Sequence, residues 1–235
     1  MNCIITAAGK SLRFDKKISK VLFKIKNETI IEKIYKKIRF VSKKTIIVCN
    51  NKNFIKIKKI LNQNKNNNII YTIQKKQNGM ATAITHGLRY VDNKNFFIIW
   101  GDMIYLQKNT IKKTIDLHLK KKNVLTFPYY KIKNPYTLIV ENKYGKFIDI
   151  LHRREEEFSN KIGKNDCGFF VCNTGKVKKE LIKLIKNKKI ITKKTKELDF
   201  LKSFKYFNKL GSISLIKASS KRETIGINFK TDILK

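Results

Sequence analysis

The chain has 235 residues, of which 42% are hydrophobic, so it is long enough for one α/β domain with a substantial core but short for two. No apolar run approaches the ~18 residues of a membrane span, and the beginning of the chain lacks the pattern of a secretory signal, so we expect a cytoplasmic protein without a membrane partner. The four cysteines form no CxxC pair, which argues against a zinc cage or a disulfide framework.

The formal net charge of +37 comes almost entirely from lysine, since the chain has only six arginines. The lysines are spread along the whole sequence among many Asn and Ile residues, whose codons are also A/T-rich. A nucleic-acid-binding face usually clusters its cations and interleaves arginine and aromatic residues. We therefore attribute the positive charge to a compositional bias and expect no specific nucleic-acid partner. The alternative, from another functional class, is a basic protein that binds nucleic acid.

In the first half of the chain, short apolar strand-like runs alternate with amphipathic helical patterns. Strands are predicted at "CIIT" from Cys3, "TIIVC" from Thr45, "NIIYTI" from Asn68 and "FFIIWGD" from Phe96. Helices are predicted between them at "ETIIEKIYKKIRFV" from Glu28, "FIKIKKILNQN" from Phe54 and "MATAITHGLRYV" from Met80. This alternation predicts a parallel sheet with crossover helices.

The second half contains more strands and fewer helices. Strands are predicted at "VLTF", "YTLIVEN", "KFIDILH", "GFFVCNT" and "SISLIKA", and helices over residues 176–186 and 195–208. Residues 153–166 are predicted to form a polar loop that joins two strands. We interpret residues 1–235 as a single domain, with a nucleotide-binding half over about 1–107 and an acceptor-binding half over about 108–235, and we expect the site between them.

The first predicted strand leads directly into small residues and cations, namely Ala7, Ala8, Gly9, Lys10, Arg13 and Lys20. Small residues let a backbone approach a bulky ligand, and amides at a strand exit can point toward an anion. Arginine and lysine supply a fork and a point charge for phosphate oxygens. The loop is neither a Walker A motif nor a G-x-G-x-x-G turn. By itself it predicts either an anion site or an ordinary turn with solvated cations.

Six motifs follow one another along nearly the whole chain: "AAGKSLRF…SKVLFKI" at Ala7, "QKKQNGMATAI" at Gln74, "WGDMIYL" at Trp100, "NPYTLIVENKYGKFIDILHR" at Asn134, "CGFFVCNTG" at Cys167 and "ETIGIN" at Glu223. In this order they resemble the motifs of the sugar-1-phosphate nucleotidyltransferases. The resemblance is strongest to the pyrophosphorylase part of the bifunctional N-acetylglucosamine-1-phosphate uridyltransferases, whose loop reads A-A-G-x-x-x-R-M followed by P-K-x-L.

The resemblance implies a three-layer α/β/α, Rossmann-like fold with a mostly parallel sheet and a smaller β-rich sugar half, which is the nucleotide-diphospho-sugar transferase or MobA-like NTP transferase fold. It also implies transfer of NMP from a nucleoside triphosphate, UTP before CTP, to a sugar-1-phosphate, with release of pyrophosphate. The alternative among related enzymes is a cytidylyltransferase for phosphocholine or another alcohol phosphate. A role in nucleotide-sugar supply for cell-surface polysaccharide is a further implication.

Asp102 and Asn228 are the candidate metal ligands. Asp102 follows "FFIIWG" at the carboxyl end of a strand, where α/β sheets bind ligands, and a lone carboxylate there suits a Mg²⁺ ion that keeps waters and takes substrate phosphates. The alternative for Asp102 is a helix cap. Asn228 alone would be a turn residue, but it resembles the second metal ligand of the family. The resemblance therefore implies Mg²⁺ on Asp102 and Asn228, with Arg13 and Lys20 on the β- and γ-phosphates.

The candidate nucleotide-binding residues follow the predicted strands and comprise Ala7, Ala8, Gly9, Lys10, Gln74, Gly79 and Gly101. Gln74 and Gly79 match positions that face the nucleobase in the family. A side-chain amide can read a pyrimidine edge, and a glycine leaves room for the base. Met80 stands where the family usually has threonine, so the choice between uracil and cytosine stays open.

Thr137, His152 and Asp166 are the candidate acceptor-binding residues, and all three depart from the family pattern. His152 aligns with the glutamate that grips the sugar, Asp166 with the asparagine of the I-N-T-G motif, and Thr137 with the glycine near Y-G-R-I. Buried polar groups discriminate strongly between hydroxyl patterns, so these changes predict a different sugar or alcohol phosphate. A satisfied strand histidine is the alternative interpretation of His152.

Overall fold

The computed structural model describes residues 1–11, 14, 18–62 and 68–233. Within these residues the strands are β1 (Asn2–Thr6), β2 (Lys24–Ile25), β3 (Glu28–Thr29), β4 (Lys44–Cys49), β5 (Ile69–Ile73), β6 (Asn95–Trp100), β7 (Leu125–Lys133), β8 (Thr137–Glu141), β9 (Phe147–His152), β10 (Ile162–Asp166), β11 (Phe169–Asn173) and β12 (Ile213–Lys217). The α-helices are α1 (Ile30–Ile38), α2 (Phe54–Asn62), α3 (Met80–Leu88), α4 (Lys108–Lys121), α5 (Thr174–Lys186) and α6 (Phe204–Phe207). Short 3-10 turns occur at Lys20–Leu22, Arg153–Glu155, Leu201–Ser203, Lys221–Thr224 and Lys230–Ile233.

The central sheet has eight strands in the order β10-β7-β11-β6-β1-β4-β5, with β12 also paired to β7. β1 runs parallel to β4 and β6, and β4 runs parallel to β5. β11 lies antiparallel between β6 and β7, and β12 lies parallel to β7. β8 and β9 form a separate hairpin. The prediction of a parallel sheet with crossover helices in the first half is confirmed, and strands from both predicted halves share the sheet.

Local sequence accounts for these elements. Every residue of β1 is buried, as expected for a parallel strand that is covered on both faces. α1 begins with a capping box, in which Thr29 Oγ1 accepts a hydrogen bond from the Glu32 amide and the Glu32 carboxylate accepts one from the Thr29 amide. Its apolar face buries Ile30, Ile34 and Ile38.

The sheet separates two hydrophobic clusters. Ile4 of β1 belongs to the cluster that also contains α3, α5 and α6, where Phe127, Phe170 and Phe204 pack ring against ring. Ile5 points to the other cluster, which contains α1, α2 and α4. The structure therefore has helices on both faces of the sheet, and the predicted three-layer α/β/α architecture is confirmed. Among the described residues, no helix is both long and apolar enough to cross a membrane.

Two predictions in the second half are wrong in part. Residues 153–166 are not entirely a loop, because the last five form β10, in which Ile162 pairs with Lys133 and Asp166 with Tyr129 of β7. Residues 195–208 are not one helix. The stretch begins with an extended bridge between Ile191 and Leu198, and only a 3-10 turn and the four residues of α6 are helical.

β7 also extends beyond the predicted "VLTF" strand and continues through Pro128. Residues 125–126 pair with β11 and residues 129–133 pair with β10, so Pro128 lies where β7 changes its antiparallel neighbour. A proline donates no backbone hydrogen bond, and such a break in the ladder is a position that tolerates it.

Candidate active site

The carboxyl ends of β1, β4, β5 and β6 meet at one edge of the sheet, because these four strands are parallel. Each strand is followed there by residues of potential chemical use: residues 7–9 after β1, Asn50 after β4, Gln74 after β5 and Asp102 after β6. This edge is where open α/β sheets bind ligands. The candidate active site is therefore assembled by the fold from segments that are far apart in sequence.

The loop after β1 is held by side chains of neighbouring segments. Asn53 Nδ2 donates to the Ala7 carbonyl at 2.8 Å, and Asn50 Nδ2 and Gln77 Nε2 donate to the Ala8 carbonyl at 3.1 and 2.8 Å. A trans peptide places its N–H opposite its C=O, so the amides of Ala8 and Gly9 face away from these side chains. Amides turned outward at a strand end suit an anion.

Exposure divides the residues of this loop into two groups. Ala7 and Ala8 are buried, whereas Gly9 and Lys10 are exposed. The small side chains therefore pack the loop against the sheet, and Lys10 lies in solvent beside it. Arg13, predicted to bind phosphate, lies outside the described residues. The roles of Asn50, Asn53 and Gln77 were not predicted, and the only sequence signal was a run of amide residues after two strands.

Lys20 and Asp102 form an ion pair at the centre of this edge. Lys20 Nζ donates to Asp102 Oδ2 at 2.7 Å, and both side chains are mostly buried. The Lys20 amide donates to Ser11 Oγ at 3.1 Å, which fixes the start of the 3-10 turn that carries the lysine. The other carboxylate oxygen, Asp102 Oδ1, is buried and accepts no hydrogen bond from the residues that the structure describes. A buried carboxylate oxygen without a partner is costly unless a ligand supplies one.

Residues 226–228 lie directly against Asp102, although more than a hundred residues separate them in sequence. The Ile227 amide donates to the Asp102 carbonyl at 3.1 Å, and a Cβ built on Gly226 would lie 3.3 Å from Asp102 Oδ2. Asn228 Nδ2 donates to the Gly226 carbonyl at 3.2 Å, and the Asn228 amide donates to Asp232 Oδ2 at 2.9 Å. The structure thus brings the two candidate metal ligands to one place.

The oxygen donors at this place suit a hard cation. Asp102 has a carboxylate oxygen to which no described residue donates, and Asn228 contributes a side chain with an amide oxygen. Mg²⁺ prefers oxygen ligands and commonly uses one or two protein groups together with water and substrate phosphates. In the described part of the chain no group of three or more His, Cys, Asp and Glu side chains is arranged to hold a metal ion. The residues present therefore fit a substrate-assisted Mg²⁺ site better than a closed protein cage.

Gln74 and Gly79 contact each other beside this edge. Gln74 is buried, and its Nε2 donates to the Gly79 carbonyl at 3.1 Å. Gly79 has φ +128°, and a Cβ at this position would lie 2.2 Å from the Leu198 carbonyl oxygen. The close approach of the Leu198 main chain is one reason for this glycine, and its role beside a nucleobase stays a prediction. Gly101 is likewise required by the backbone, since its Cβ would lie 2.4 Å from the Thr6 carbonyl oxygen.

The three candidate acceptor-binding residues form one buried cluster in the second half. Thr137 and His152 are paired across the β8–β9 hairpin, and Thr137 Oγ1 donates to Asp166 Oδ2 at 2.6 Å. The Gly168 amide donates to Asp166 Oδ1 at 2.7 Å. Burial raises the pKa of Asp166, and the hydrogen bonds from Thr137 and Gly168 oppose the increase. The structure therefore brings these three residues together, and their role in acceptor binding stays a prediction.

Asp199 completes this cluster and was not predicted. Its Oδ2 lies 3.2 Å from His152 Nε2 and 3.8 Å from Arg154 Nη2. The distance to His152 is short, but the angle is outside that of a hydrogen bond, and neither ring nitrogen of His152 has a hydrogen-bond partner among the described residues. His152 is only 3% exposed. The interpretation of His152 as a satisfied strand histidine therefore does not fit the structure.

Comparison with known proteins gives a family match and named relatives. Residues 3–158 match the family model described as "MobA-like NTP transferase domain". The bifunctional protein GlmU of Buchnera aphidicola from Schizaphis graminum is 30% identical over 240 residues, covering 99% of this chain and 49% of that protein. The probable UDP-N-acetylglucosamine pyrophosphorylase of Acanthamoeba polyphaga mimivirus is 29% identical over 190 residues, covering 78% of this chain and 74% of that protein. The chain thus spans about half the length of the bifunctional relative.

Solved structures resemble the whole chain. A putative glucose-1-phosphate thymidylyltransferase from Bacillus anthracis superposes with a TM-score of 0.81 and 18% identity, covering 100% of this chain and 92% of that one. The 4-diphosphocytidyl-2C-methyl-D-erythritol synthase from Anaerococcus prevotii superposes with a TM-score of 0.70 and 18% identity, covering 99% and 94% of the two chains. At this identity the likeness establishes the fold, and the predicted nucleotide-diphospho-sugar transferase fold is confirmed.

Proposed function

We propose, since this chain belongs to the family of MobA-like NTP transferase domains, that it is a sugar-1-phosphate nucleotidyltransferase. It transfers the nucleoside monophosphate of a nucleoside triphosphate to a sugar-1-phosphate and releases pyrophosphate. The observation that carries the proposal is the meeting of the residue 7–9 loop, Lys20, Asp102 and residues 226–228 at one edge of the parallel sheet. UTP is the first choice of nucleotide, and CTP is the second.

The chemistry requires positioning more than acid–base catalysis. An oxygen of the acceptor phosphate attacks the α-phosphorus, and the bond from that phosphorus to the β-phosphate oxygen breaks as pyrophosphate leaves. The attacking phosphate is already ionised near neutral pH, because its second pKa is about 6, so no general base is needed. The barrier lies in bringing two polyanions together, since like charges 4 Å apart repel by about 4 kcal/mol at an effective dielectric constant near 20.

Cationic and amide groups of this chain offset that repulsion. Lys20 reaches the centre of the site, and the amides of Ala8 and Gly9 face away from the packed side of their loop. Lys10 is exposed beside that loop, and Arg13 is proposed to bind the departing phosphates. Together these groups hold the triphosphate in line for attack, which is the main source of catalysis in phosphoryl transfer.

Mg²⁺ is the proposed cofactor, and Asp102 and Asn228 are the residues that would hold it. When bound, the ion would supply positive charge where the two phosphate groups meet. Two observations support this assignment: no residue in the described part of the chain donates to Asp102 Oδ1, and residues 226–228 pack against Asp102. Lys20 donates to the other carboxylate oxygen, so the ion pair orients the Asp102 side chain.

The cluster of Thr137, His152, Asp166 and Asp199 is proposed to recognise the acceptor. Its carboxylates are buried, and the ring nitrogens of His152 have no hydrogen-bond partner within the part of the chain that the structure describes, which favours an acceptor with several polar groups. A second candidate function is a cytidylyltransferase for phosphocholine or another alcohol phosphate. The observation in its favour is the pair of buried carboxylates, Asp166 and Asp199, which would pair with a cationic head group.

A pyrophosphate-release assay over a panel of nucleotides and phosphorylated acceptors, with and without Mg²⁺, tests the proposal. Turnover with a sugar-1-phosphate is expected only with Mg²⁺, and Asp102→Asn is expected to reduce it about 100-fold or more, in the range for loss of a group that stabilises developing charge. The control is Asp92→Asn, because Asp92 contacts Asn2 at the opposite edge of the sheet.

Three results of this assay would contradict the proposal in different ways. Near-normal turnover of Asp102→Asn would remove Asp102 from the metal site. Turnover with alcohol phosphates alone would favour the second candidate. No turnover with any pair, together with tight and steeply salt-dependent binding of nucleic acid, would support the non-enzymatic alternative.

A further inference from the structure

The C-terminal segment, residues 219–233, carries Asn228 but forms no strand of the sheet. It consists of two 3-10 turns with residues 225–229 between them. Glu223 and Ile227 are nevertheless completely buried. Specific contacts must therefore hold this segment against the rest of the chain, since 3-10 turns have little stability of their own.

Glu223 provides the most extensive of these contacts. Its Oε2 accepts a hydrogen bond from the Gln107 amide at 2.8 Å. Its Oε1 accepts hydrogen bonds from Thr110 Oγ1 at 3.1 Å and from the Ser220 amide at 2.9 Å. Gln107 is the N-cap residue of α4, and its own side chain makes no capping hydrogen bond. Glu223 therefore caps α4 from a segment more than a hundred residues away, at a helix end that favours negative charge.

The connection between Asp102 and α4 makes this contact relevant to the site. Residues 101–107 lead from the end of β6 to the start of α4 and begin with the candidate metal ligand. Tyr105 lies in the same loop, and its hydroxyl donates to the carbonyls of Asp232 and Ile233 at 3.0 and 2.9 Å. The C-terminal segment is thus attached to the Asp102 loop on both sides of Asn228.

We propose that Glu223 is a positioning residue whose carboxylate fastens the C-terminal segment to the start of α4 and thereby sets Asn228 beside Asp102. The effect of this contact on metal binding rests on the proposed function, whereas the attachment of the segment by Glu223 does not. The Ile227 amide and the Tyr105 hydroxyl hold the same segment, and Glu223 adds the contact to the start of α4. Residues that orient metal ligands without touching the ion commonly affect metal affinity 10- to 100-fold.

Glu223→Gln tests the role of the carboxylate with little change in shape. The glutamine side chain has an NH₂ group in place of one carboxylate oxygen. This NH₂ group must face a backbone amide or a hydroxyl that donates to the carboxylate in the wild type. The matched control is Glu180→Gln on α5, on the opposite face of the sheet. Tyr105→Phe is a second variant, which leaves Glu223 in place and removes only the hydroxyl that donates to the two carbonyls.

Two measurements on the full chain follow the effect. Hydrogen exchange of residues 219–233 and of the Gln107 amide is expected to be at least ten times faster in Glu223→Gln than in the wild type and in Glu180→Gln. Tyr105→Phe is expected to accelerate exchange at residues 228–233. Binding of Mn²⁺ alone, followed by electron paramagnetic resonance, is expected to weaken about 10-fold or more in Glu223→Gln.

The outcomes separate the inference from the proposed function. Unchanged exchange in both variants, or faster exchange with unchanged Mn²⁺ affinity, would overturn the role of Glu223. Faster exchange with weaker Mn²⁺ binding supports that role even if no nucleotide is turned over, in which case only the proposed function fails. Absence of Mn²⁺ binding by the wild type would overturn the metal site and the inference together.

Discussion

Acidification is expected to destabilise this protein through His118. The ring lies 1% exposed between α4 and the sheet, with Nδ1 3.1 Å from Thr126 Oγ1 and Nε2 3.2 Å from Asn95 Oδ1. Burial lowers the pKa of His118 from its ordinary value of 6.5 to about 4. Between these two values the unfolded chain binds a proton that the folded chain does not. The free energy of unfolding therefore falls as the pH decreases from 6.5 toward 4.

The magnitude follows from the two pKa values. One pKa unit corresponds to about 1.4 kcal/mol, so the difference between 6.5 and about 4 corresponds to about 3 kcal/mol, which is lost in full only when the pH falls to about 4 and the folded chain also binds the proton. Such a loss is large beside the 5–15 kcal/mol that typically separates folded from unfolded states. Because His118 joins α4 to β6 and β7, acid is expected to loosen the helix that follows the Asp102 loop.

Urea unfolding of the wild type and of His118→Gln at pH 7, 6, 5 and 4.5 measures this effect. The variant is expected to be less stable at pH 7, because it loses ring packing and a hydrogen bond, but its free energy of unfolding should change less with pH. Carboxylates titrate in both proteins, so the difference between the two curves isolates His118. Equal losses in the two proteins between pH 7 and 4.5 would refute the argument, since they would mean that the folded protein does not exclude the proton from this ring.

Other substitutions test the nucleotide side of the site and its support. Gly79→Ala is expected to lower the thermal midpoint and to cost about 1–3 kcal/mol or more, since the residue has φ +128° and its Cβ would meet the Leu198 carbonyl; an unchanged midpoint would contradict this contact. Burial lowers the pKa of Lys37 to about 8, so between pH 8 and 10.5 the unfolded chain binds a proton that the folded chain has released, and the wild type should gain stability relative to Lys37→Met as the pH rises. Parallel pH profiles of the two proteins in urea unfolding would contradict this expectation. Arg13→Ala is expected to raise the KM for nucleoside triphosphate about 10- to 100-fold, because a hydrogen bond to a charged group contributes about 1.5–3 kcal/mol. The control Lys188→Ala changes an exposed residue and should leave the KM unchanged, so equal effects of the two substitutions in steady-state kinetics would count against the loop assignment.

The first half of the fold was predictable because its local patterns agree with its tertiary environment. β1 contains the apolar run of residues 3–5, and the structure buries the strand on both faces. Thr29 and Glu32 have the spacing of a capping box, and α1 begins with one. The position of Asp102 was predictable because a carboxylate that follows a buried strand of a parallel sheet lies at the edge where such sheets bind ligands.

The second half was less predictable because long-range pairing determines it. The sequence "IGKND" of β10 has the composition of a loop, and its strand conformation depends on the register with β7. Residues near Leu198 have helical spacing, but the Leu198 amide and carbonyl bond to Asn78 and Ala81 at 2.8 and 3.0 Å. These bonds hold the segment extended, so tertiary contacts override the local preference.

A similar dependence on long-range contacts explains why the roles of Asp199 and Glu223 could not be predicted from the sequence. Glu223 occurs in a polar stretch and Asp199 stands between Leu198 and Phe200, but in either setting an acidic side chain is normally solvated. Their burial depends on partners from distant segments, namely His152 and Arg154 for Asp199, and Gln107 and Thr110 for Glu223. A single sequence does not show which carboxylates the fold surrounds with donors.

The position of the divalent ion is the most direct test of a nucleotidyltransferase site at this edge of the sheet. Crystals grown with UTP and Mn²⁺ would locate the ion by its anomalous scattering. The expected position is about 2.0–2.3 Å from an Asp102 carboxylate oxygen and from the Asn228 amide oxygen, in contact with the triphosphate. An ion and a triphosphate bound elsewhere, with Asp102 still paired only to Lys20, would contradict the assignment.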